Sequence, residues 1–340
     1  IDWKKQMAEH YLNVFGGMRL SNYTYSNSYA SGYNNSNDKM PNLSYNLSYL
    51  SYGGTNDTWI NMAYYLNASY IYKNRYFLNG LVTMESSSRF GEEADGGVKL
   101  FGVSWGLFPS IQAGWLISSE DWFKADWVNY LKLTAGYEES GNDNIDYYAA
   151  RTYFENIKFL NTATGLQLAN IANPKIRWET NHRFNVGLQA NLFNNRLSIG
   201  GEFFYNKVTN LLTKKEVSYI TGLANMWTNE GELSNIGAEV SLNAVLLNTK
   251  DWKWQAGFSL GHYKNEIKEL PSTDVIRLYN LDENGQRAGI YKTIKGYTSS
   301  VYGQDNVLTA TGYAAGVFYG YKTKGVFSSD AEASTAGKYG

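Results

Sequence analysis

An alternation with a period of two, sustained over long stretches, constrains this chain more than any other feature. In "NHRFNVGLQANLFNNRLSIGGEFFYNK", Asn181 to Lys207, the residues Phe184, Val186, Leu188, Ala190 and Leu192 share one parity. Asn185, Gly187, Gln189 and Asn191 take the other. Past Asn194-Asn195, Leu197, Ile199, Phe203 and Tyr205 are apolar, while Ser198, Gly200 and Glu202 interleave. Side chains of a β-strand alternate between its two faces, so this is strand, asparagine turn, strand. Strands in soluble domains average about five or six residues. Two much longer neighbours, each greasy on one face and small or polar on the other, need a different setting.

The pattern recurs along the chain. "LSYNLSYLS" near Leu43, "WINMAYYLNASYIY" from Trp59, "YFLNGLVTME" from Tyr76 and "LKLTAGY" from Leu131 all alternate. So do "IGAEVSLNAVL" from Ile236 and "WKWQAGFSLGH" from Trp252. Roughly ten such strands are expected. Their connections are alternately short ("KNR" at 73–75, "NN" at 194–195, "NTKD" at 248–251) and long. The long ones include "SYASGYNNSNDKMPN" and polar, glycine-containing stretches at 138–165 and 270–306. Tight turns on one side and long loops on the other make the rhythm of an up-and-down transmembrane β-barrel.

Physics assigns the two faces. In hydrocarbon every backbone N–H and C=O must pair within the protein, so a spanning sheet must close on itself. One face then meets lipid, the other water or a plug. On this reading Phe184, Val186, Leu188, Leu197, Ile199, Phe203, Val240 and Leu242 face lipid, and Gln189, Glu202, Glu239 and Gln255 face the lumen. The whole chain, 1–340, is expected to be one all-β antiparallel domain, a partial transmembrane barrel.

Composition removes several other classes. A net charge of -1 leaves no electrostatic footprint for nucleic acid. Cysteine is absent, which excludes disulfides and thiolate metal sites. With 29 Tyr, 15 Phe and 10 Trp the chain is too aromatic to be disordered. No run approaches the roughly 18 to 20 apolar residues of a membrane helix, which leaves a barrel open.

Motifs with possible chemistry have bland readings. "GVSWG", Gly102 to Gly106, fits the spacing of a hydrolase nucleophile elbow. That elbow joins a strand to a helix, whereas "LFPSIQAGWLIS" alternates as another strand, so Ser104 is read as a chance match. His10, His182 and His262 lack any ligand spacing and are read as structural. Asp143, Asn144 and Asp146, just after Glu138-Glu139, do not keep the register of a calcium loop and are read as solvated. Arg89, in "ESSSRFGEEADGG", is expected to pair with a nearby carboxylate, the segment having no phosphate-loop lysine. No catalytic residue, metal site or cofactor is expected. Tyr147, Tyr148, Tyr291 and Tyr302 in the long loops are candidate substrate contacts.

Several segments, in order, resemble the SusC/RagA family of TonB-dependent outer-membrane transporters. "SSSRFGEE" is similar to the family's "DGSSRFG", with Glu85-Ser86 in place of Asp-Gly. "FPSIQAGWLISSEDWFK" resembles "FPSVSAGWRISEE.F", and "LKLTAGYEESGND" resembles "LKLRASYGxTGN" apart from Glu138-Glu139. "ANPKIRWETNHRFNVGLQANLFNNRLSIGGEFFYNKVTNLL" follows "NPDLKWE…..NIGLDFGLFNNRLxxxxDYYxKxTxDLL". "GELSNIGAEVSLNAVLLNTKDWKWQAGFSLGHYKNEIKEL" matches the next hairpin, and "GVFYGYKTKGVFSS" resembles "GxFYGYxxxGIFQS". The resemblance spans residues 69 to 329.

It implies a plugged barrel of the 22-stranded type, of which this chain holds middle-to-late strands without the plug. It also implies import of oligosaccharides or peptides across the outer membrane of a Gram-negative bacterium. The implied partners are a SusD-like surface lipoprotein as lid, TonB acting through a plug, and outer-membrane lipid. A start at Ile1 and a small, polar end at "SSDAEASTAGKYG" read as a piece of a longer chain, with bare sheet edges expected near Lys4–Ser21 and near 316–327. Two other readings stay open here: a soluble β-rich carbohydrate-binding or structural protein, and a passive diffusion porin.

Overall fold

The computed structural model describes residues 1–33, 39, 49–159, 163–272, 274–281, 287–301, 304–320, 326 and 328–335. The first strands are β1 (Asp2–Met7), β2 (His10–Tyr33), β3 (Tyr49–Tyr72), β4 (Tyr76–Ser87), β5 (Val98–Leu100), β6 (Val103–Leu116) and β7 (Val128–Asn142). Then come β8 (Tyr153–Phe159), β9 (Ala163–Asn170), β10 (Glu179–Leu192), β11 (Leu197–Thr209), β12 (Thr213–Glu216), β13 (Asn225–Thr228), β14 (Glu232–Asn248) and β15 (Lys253–Glu269). The last are β16 (Val275–Leu281), β17 (Arg287–Val301), β18 (Gln304–Ala310) and β19 (Val317–Phe318), followed by the short helix α1 (Asp330–Thr335).

Ten of these strands form one antiparallel meander in the order β1-β2-β3-β4-β6-β7-β10-β11-β14-β15, with β5 added beside β6. Tight turns join β1 to β2, β3 to β4, β10 to β11 and β14 to β15, whereas β4 pairs with β6, β7 with β10 and β11 with β14 across longer connections. Lys73 and Asn74, like Phe193, Asn194 and Asn195, take left-handed backbone angles, which asparagine tolerates better than most residues. β10 and β11 then pair in unbroken register from Thr180↔Thr209 to Leu192↔Leu197. Strands of 13 and 14 residues exceed the roughly 9 to 11 that cross a bilayer.

Bare edges fall at β1 and at β15 among the described residues. The first matches expectation. The second does not: the sheet ends at β15, and β19, inside the 316–327 segment, belongs to a separate four-stranded sheet, β16-β17-β18-β19. The long connections also hold more structure than their composition suggests. The 138–165 stretch begins with the end of β7 and goes on into the β8-β9 hairpin, and 270–306 contains most of β16 to β18. Glycine and asparagine scattered through short alternating runs hid these strands.

β2 and β3 are the outliers, at 24 residues each, paired from His10↔Tyr72 to Tyr33↔Tyr49. β1 reaches β2 only as far as Phe15, and β4 reaches β3 only as far as Asn61. From Asn22 and Ile60 to its tip the hairpin therefore stands beyond its neighbours. At about 3.3 Å per residue the pair runs on the order of 80 Å, against a hydrocarbon core of about 30 Å.

Candidate functional site

Cross-strand register sorts the side chains into two faces. One row reads Gly114, Thr134, Gly187, Glu202, Glu239, Gly261 across β6, β7, β10, β11, β14 and β15. The row above is Gln112, Gly136, Asn185, Phe204, Gly237. The row below is Lys132, Gln189, Gly200, Ser241, Ser259. On the other face the rows run Ala113, Ala135, Val186, Phe203, Ala238 and Trp115, Leu133, Leu188, Gly201, Val240, Leu260. Phe204 and Gly201 apart, polar residues and glycine hold one face of these rows and aliphatic and aromatic residues the other.

The polar face is concave. Residues from β3 (Ser69) round to β15 (Ser259, Gly261) line one cavity of about 830 Å³, which a flat sheet could not provide. Gln189, Glu202 and Glu239 lie together on its wall. Gln255 stands on the same face, opposite Val245 and nearer the short turns, outside the cavity. Phe184, Leu188, Phe203 and Val240 are exposed on the opposite face, where Val186, Leu197, Ile199 and Leu242 are half-buried among their neighbours.

Electrostatically the cavity is mixed. Arg183 Nη2 donates to Glu202 Oε1 at 2.9 Å and its Nε lies 3.9 Å from Glu138. Asn185 adds a donor to the same Glu202 oxygen at 3.4 Å. Glu239 sits directly opposite Glu202 and has no ion-pair partner among the described residues. Like charges opposed in a sheet repel, and Arg183 relieves only one of the two. Lys132 Nζ rides 4.6 Å above the Phe77 ring. Amides complete the wall, with Asn79 bonded to Asn67 (3.2 Å) and Ser69 (2.6 Å), and Asn265 to Asn235 (2.6 Å). Glycine leaves room for neighbours to lie along this wall. A Cβ on Gly187 would stand 2.8 Å from Thr134 Oγ1, one on Gly200 2.6 Å from Ser241 Oγ, and one on Gly136 2.7 Å from Asn185 Oδ1.

At the long-loop end the connections build a small core of their own. Phe90, Phe108, Ile145, Ala149, Ile176 and Trp178 are buried together, and Ile176 is completely enclosed. Arg89 anchors it. Its guanidinium lies 4.3 Å from the Trp59 ring and 5.1 Å from Tyr147, and Nη1 donates to the Asp143 carbonyl at 2.9 Å. The Asp143 carboxylate, 3.6 Å from Arg89, also accepts from Ser87 at 2.6 Å, so the expected carboxylate partner is Asp143. Asp146 accepts from Trp227 Nε1 at 2.7 Å. These two aspartates face different partners. Of the loop tyrosines, Tyr147 thus joins Arg89, Tyr148 stacks edgewise on Tyr153, and Tyr291 is exposed on β17. Tyr302 lies outside the described residues.

The remaining sequence candidates are structural in setting. Ser104 is buried in β6 and its hydroxyl donates to the Ala94 and Gly96 carbonyls. His10 meets the Tyr70 hydroxyl at 2.7 Å, His182 lies among Tyr137, Glu139 and Thr209, and His262 stands on exposed β15. Sequence reasoning set Asn79 on the polar side of its strand but did not single out Lys132, Arg183 or Gln112, although all three occupy the polar parity of recognisable strands.

At the short-turn end, exposed Trp122, Trp127, Phe193, Trp252 and Trp254 gather, where an amphipathic ring suits a membrane interface. Beneath them Glu120 accepts from Tyr76 (2.6 Å), Trp115 (2.8 Å) and Arg75 (3.2 Å), while Arg75 also reaches Asp121 at 2.8 Å. Bonds from Tyr76 and Trp115, then the Arg75 charge, hold the Glu120 carboxyl below its ordinary range, and Arg75 does the same to Asp121.

The family model for the TonB dependent receptor-like β-barrel matches residues 7–339. The chain belongs to that family. It is 30% identical over 267 residues to the TonB-dependent receptor P39 of Formosa agariphila, covering 78% of this chain and 22% of that protein. It is 28% identical over 270 residues to the TonB-dependent receptor SusC of Bacteroides thetaiotaomicron, covering 77% and 25%. Among solved structures, the RagAB peptide transporter superposes with a TM-score of 0.69 at 24% identity, over 88% of this chain and 33% of that one. This chain therefore spans about a quarter of the length of its curated relatives. Family membership makes this sheet a section of a TonB-dependent, SusC-like barrel of the outer membrane, which removes the soluble reading. No helix among the described residues is long and apolar enough to cross a membrane.

Proposed function

We propose that residues 1–340 form one section of the barrel domain of an importer for large nutrients, oligosaccharides or peptides, energised by TonB and closed outside by a SusD-like lipoprotein. The observation that carries this reading is the partition of one meander into a polar concave face with a cavity and an apolar opposite face. Phe184, Val186, Leu188, Leu197, Ile199, Phe203, Val240 and Leu242 then contact lipid, while Gln189, Glu202, Glu239 and Gln255 line the lumen. The edges at β1 and β15 pair with further strands, because each unpaired backbone group left in lipid costs several kcal/mol. The long connections lie on the extracellular side, as loop length does in barrels of this kind.

TonB dependence separates active import from a passive pore. Cells carrying the complete gene should take up labelled oligosaccharide or peptide only while TonB is present. Equal uptake without TonB would replace this reading with diffusion. The wall itself does no chemistry on this account: it holds the passage open and keeps lipid out.

A further inference from the structure

The β2-β3 hairpin beyond the reach of its neighbours carries a feature that barrel closure does not need. Its face of odd-numbered residues, the face that lower down gives Ser69 to the cavity, presents Tyr23, Tyr25, Tyr29 and Tyr33 from β2 and Trp59 from β3. Across the hairpin Tyr23 faces Trp59 and Tyr33 faces Tyr49, while Tyr25 faces Asp57 and Tyr29 faces Gly53, both small or polar. These last two rings therefore have room to lie down. Tyr29 lies across Gly53, where a Cβ would stand 2.8 Å from the ring. Tyr23 stacks on Trp59 at 3.8 Å with 8° between the planes. Tyr25 is 50% exposed and Tyr29 55%, as suits a ring with one face on the hairpin and the other open.

We propose that this tyrosine track is an external binding site for an uncharged oligosaccharide, held by stacking on the open ring faces. The proposal rests on the import reading above, which puts this end outside the cell. An aromatic face carries negative π-density, and the polarised C–H bonds on the flat side of a sugar ring complement it. Asn27, Thr55 and Asp57 on the same face supply hydrogen-bonding groups between the rings. The rest of the chemistry argues against other occupants. Among residues 23–33 and 51–59, this face has no aliphatic side chain and no Met, Lys or Arg, whereas the centres of protein interfaces add Met and Arg to their aromatic residues. The one cation in contact with the track among the described residues, Arg89 at its base, is buried and already engaged by Asp143, which leaves little to hold an anionic polymer. The base of the track, Trp59, is fixed by Arg89 and the loop core. About 33 Å of the same β3 face then leads from Trp59 to Ser69 at the cavity, so a ligand released from the track meets the polar wall.

The test uses the full-length transporter in detergent, titrated with neutral gluco-, manno- and xylo-oligosaccharides and with neutral peptides of similar size, read by intrinsic fluorescence and calorimetry. At least one oligosaccharide should bind. Tyr25→Ala with Tyr29→Ala should weaken it about tenfold or more, while Tyr25→Phe with Tyr29→Phe keeps most of the affinity, because stacking does not need the hydroxyls. Unchanged sugar affinity in the alanine pair would overturn the proposal. So would a panel in which no sugar binds, or one in which only peptides bind and lose affinity in the alanine pair, since an extended peptide could instead add to the open hairpin edges. Uptake of the same sugar by cells, with and without TonB, is read separately: binding that depends on the track without TonB-dependent uptake keeps the site and removes the import reading.

Discussion

Leu188 and Gln189 are adjacent in β10 and point to opposite faces, so they test the partition one residue at a time. Leu188→Arg should cost roughly 2–4 kcal/mol of barrel stability in lipid vesicles, and Gln189→Arg much less. Equal losses at the two positions would mean that the apolar face does not meet hydrocarbon. Glu239→Gln is the complementary case. It removes a carboxylate opposed to Glu202 that has no ion-pair partner among the described residues, so denaturant unfolding should reveal a neutral or slightly stabilising change. The parity of Leu188, Gln189 and Glu202 was legible in the sequence because a period of two needs no long-range information. The Arg89 cluster was legible only in part. A carboxylate partner was a fair expectation, but Trp59 and Tyr147 come from remote strands and loops, and no local spacing announces them.

Individual elements stand on their own chemistry. The short connection between β6 and β7 is clamped to the β3-β4 turn through Glu120, Asp121 and Arg75. Both carboxyls are held below their ordinary values in the folded chain. Their contribution is therefore fully present above the usual carboxylate range, near pH 4, and is lost as pH falls through the lowered folded values. Acid titration followed by Trp115 fluorescence should show the turn loosening only in that acidic window, and Glu120→Gln should blunt the transition. At the other end, Ile176→Ala should cost about 2–5 kcal/mol locally, visible as faster hydrogen exchange in the 143–178 connection with β10 and β11 unaffected. That loop core escaped sequence reading because its members, Phe90, Ile145, Ile176 and Trp178, are single apolar residues in polar segments with no shared period. The long strands were easy to read. The short ones, β8 and β12 among them, were not.

For the whole molecule the decisive property is that the sheet has two ends. Protease added to intact cells should cut within the 270–306 segment before any cut at the 193–196 turn; the reverse order would place the long connections inside. The order of strands and the rhythm of turns were readable from the chain, whereas the outer edge was misplaced near 316–327 because β16 to β19 alternate as barrel strands do but, among the described residues, pair only with one another. The glycines of the concave wall have a consequence at this scale. Thr134, Asn185 and Ser241 lie flat because Gly187, Gly136 and Gly200 give them floor space. A single methyl group at any of those positions would lift a polar side chain off the wall and into the bore. On the import reading, how far the polar side chains of this wall reach inward is thus set by the glycines beneath them, and alanine at Gly187 or Gly200 would roughen the wall without altering its charge.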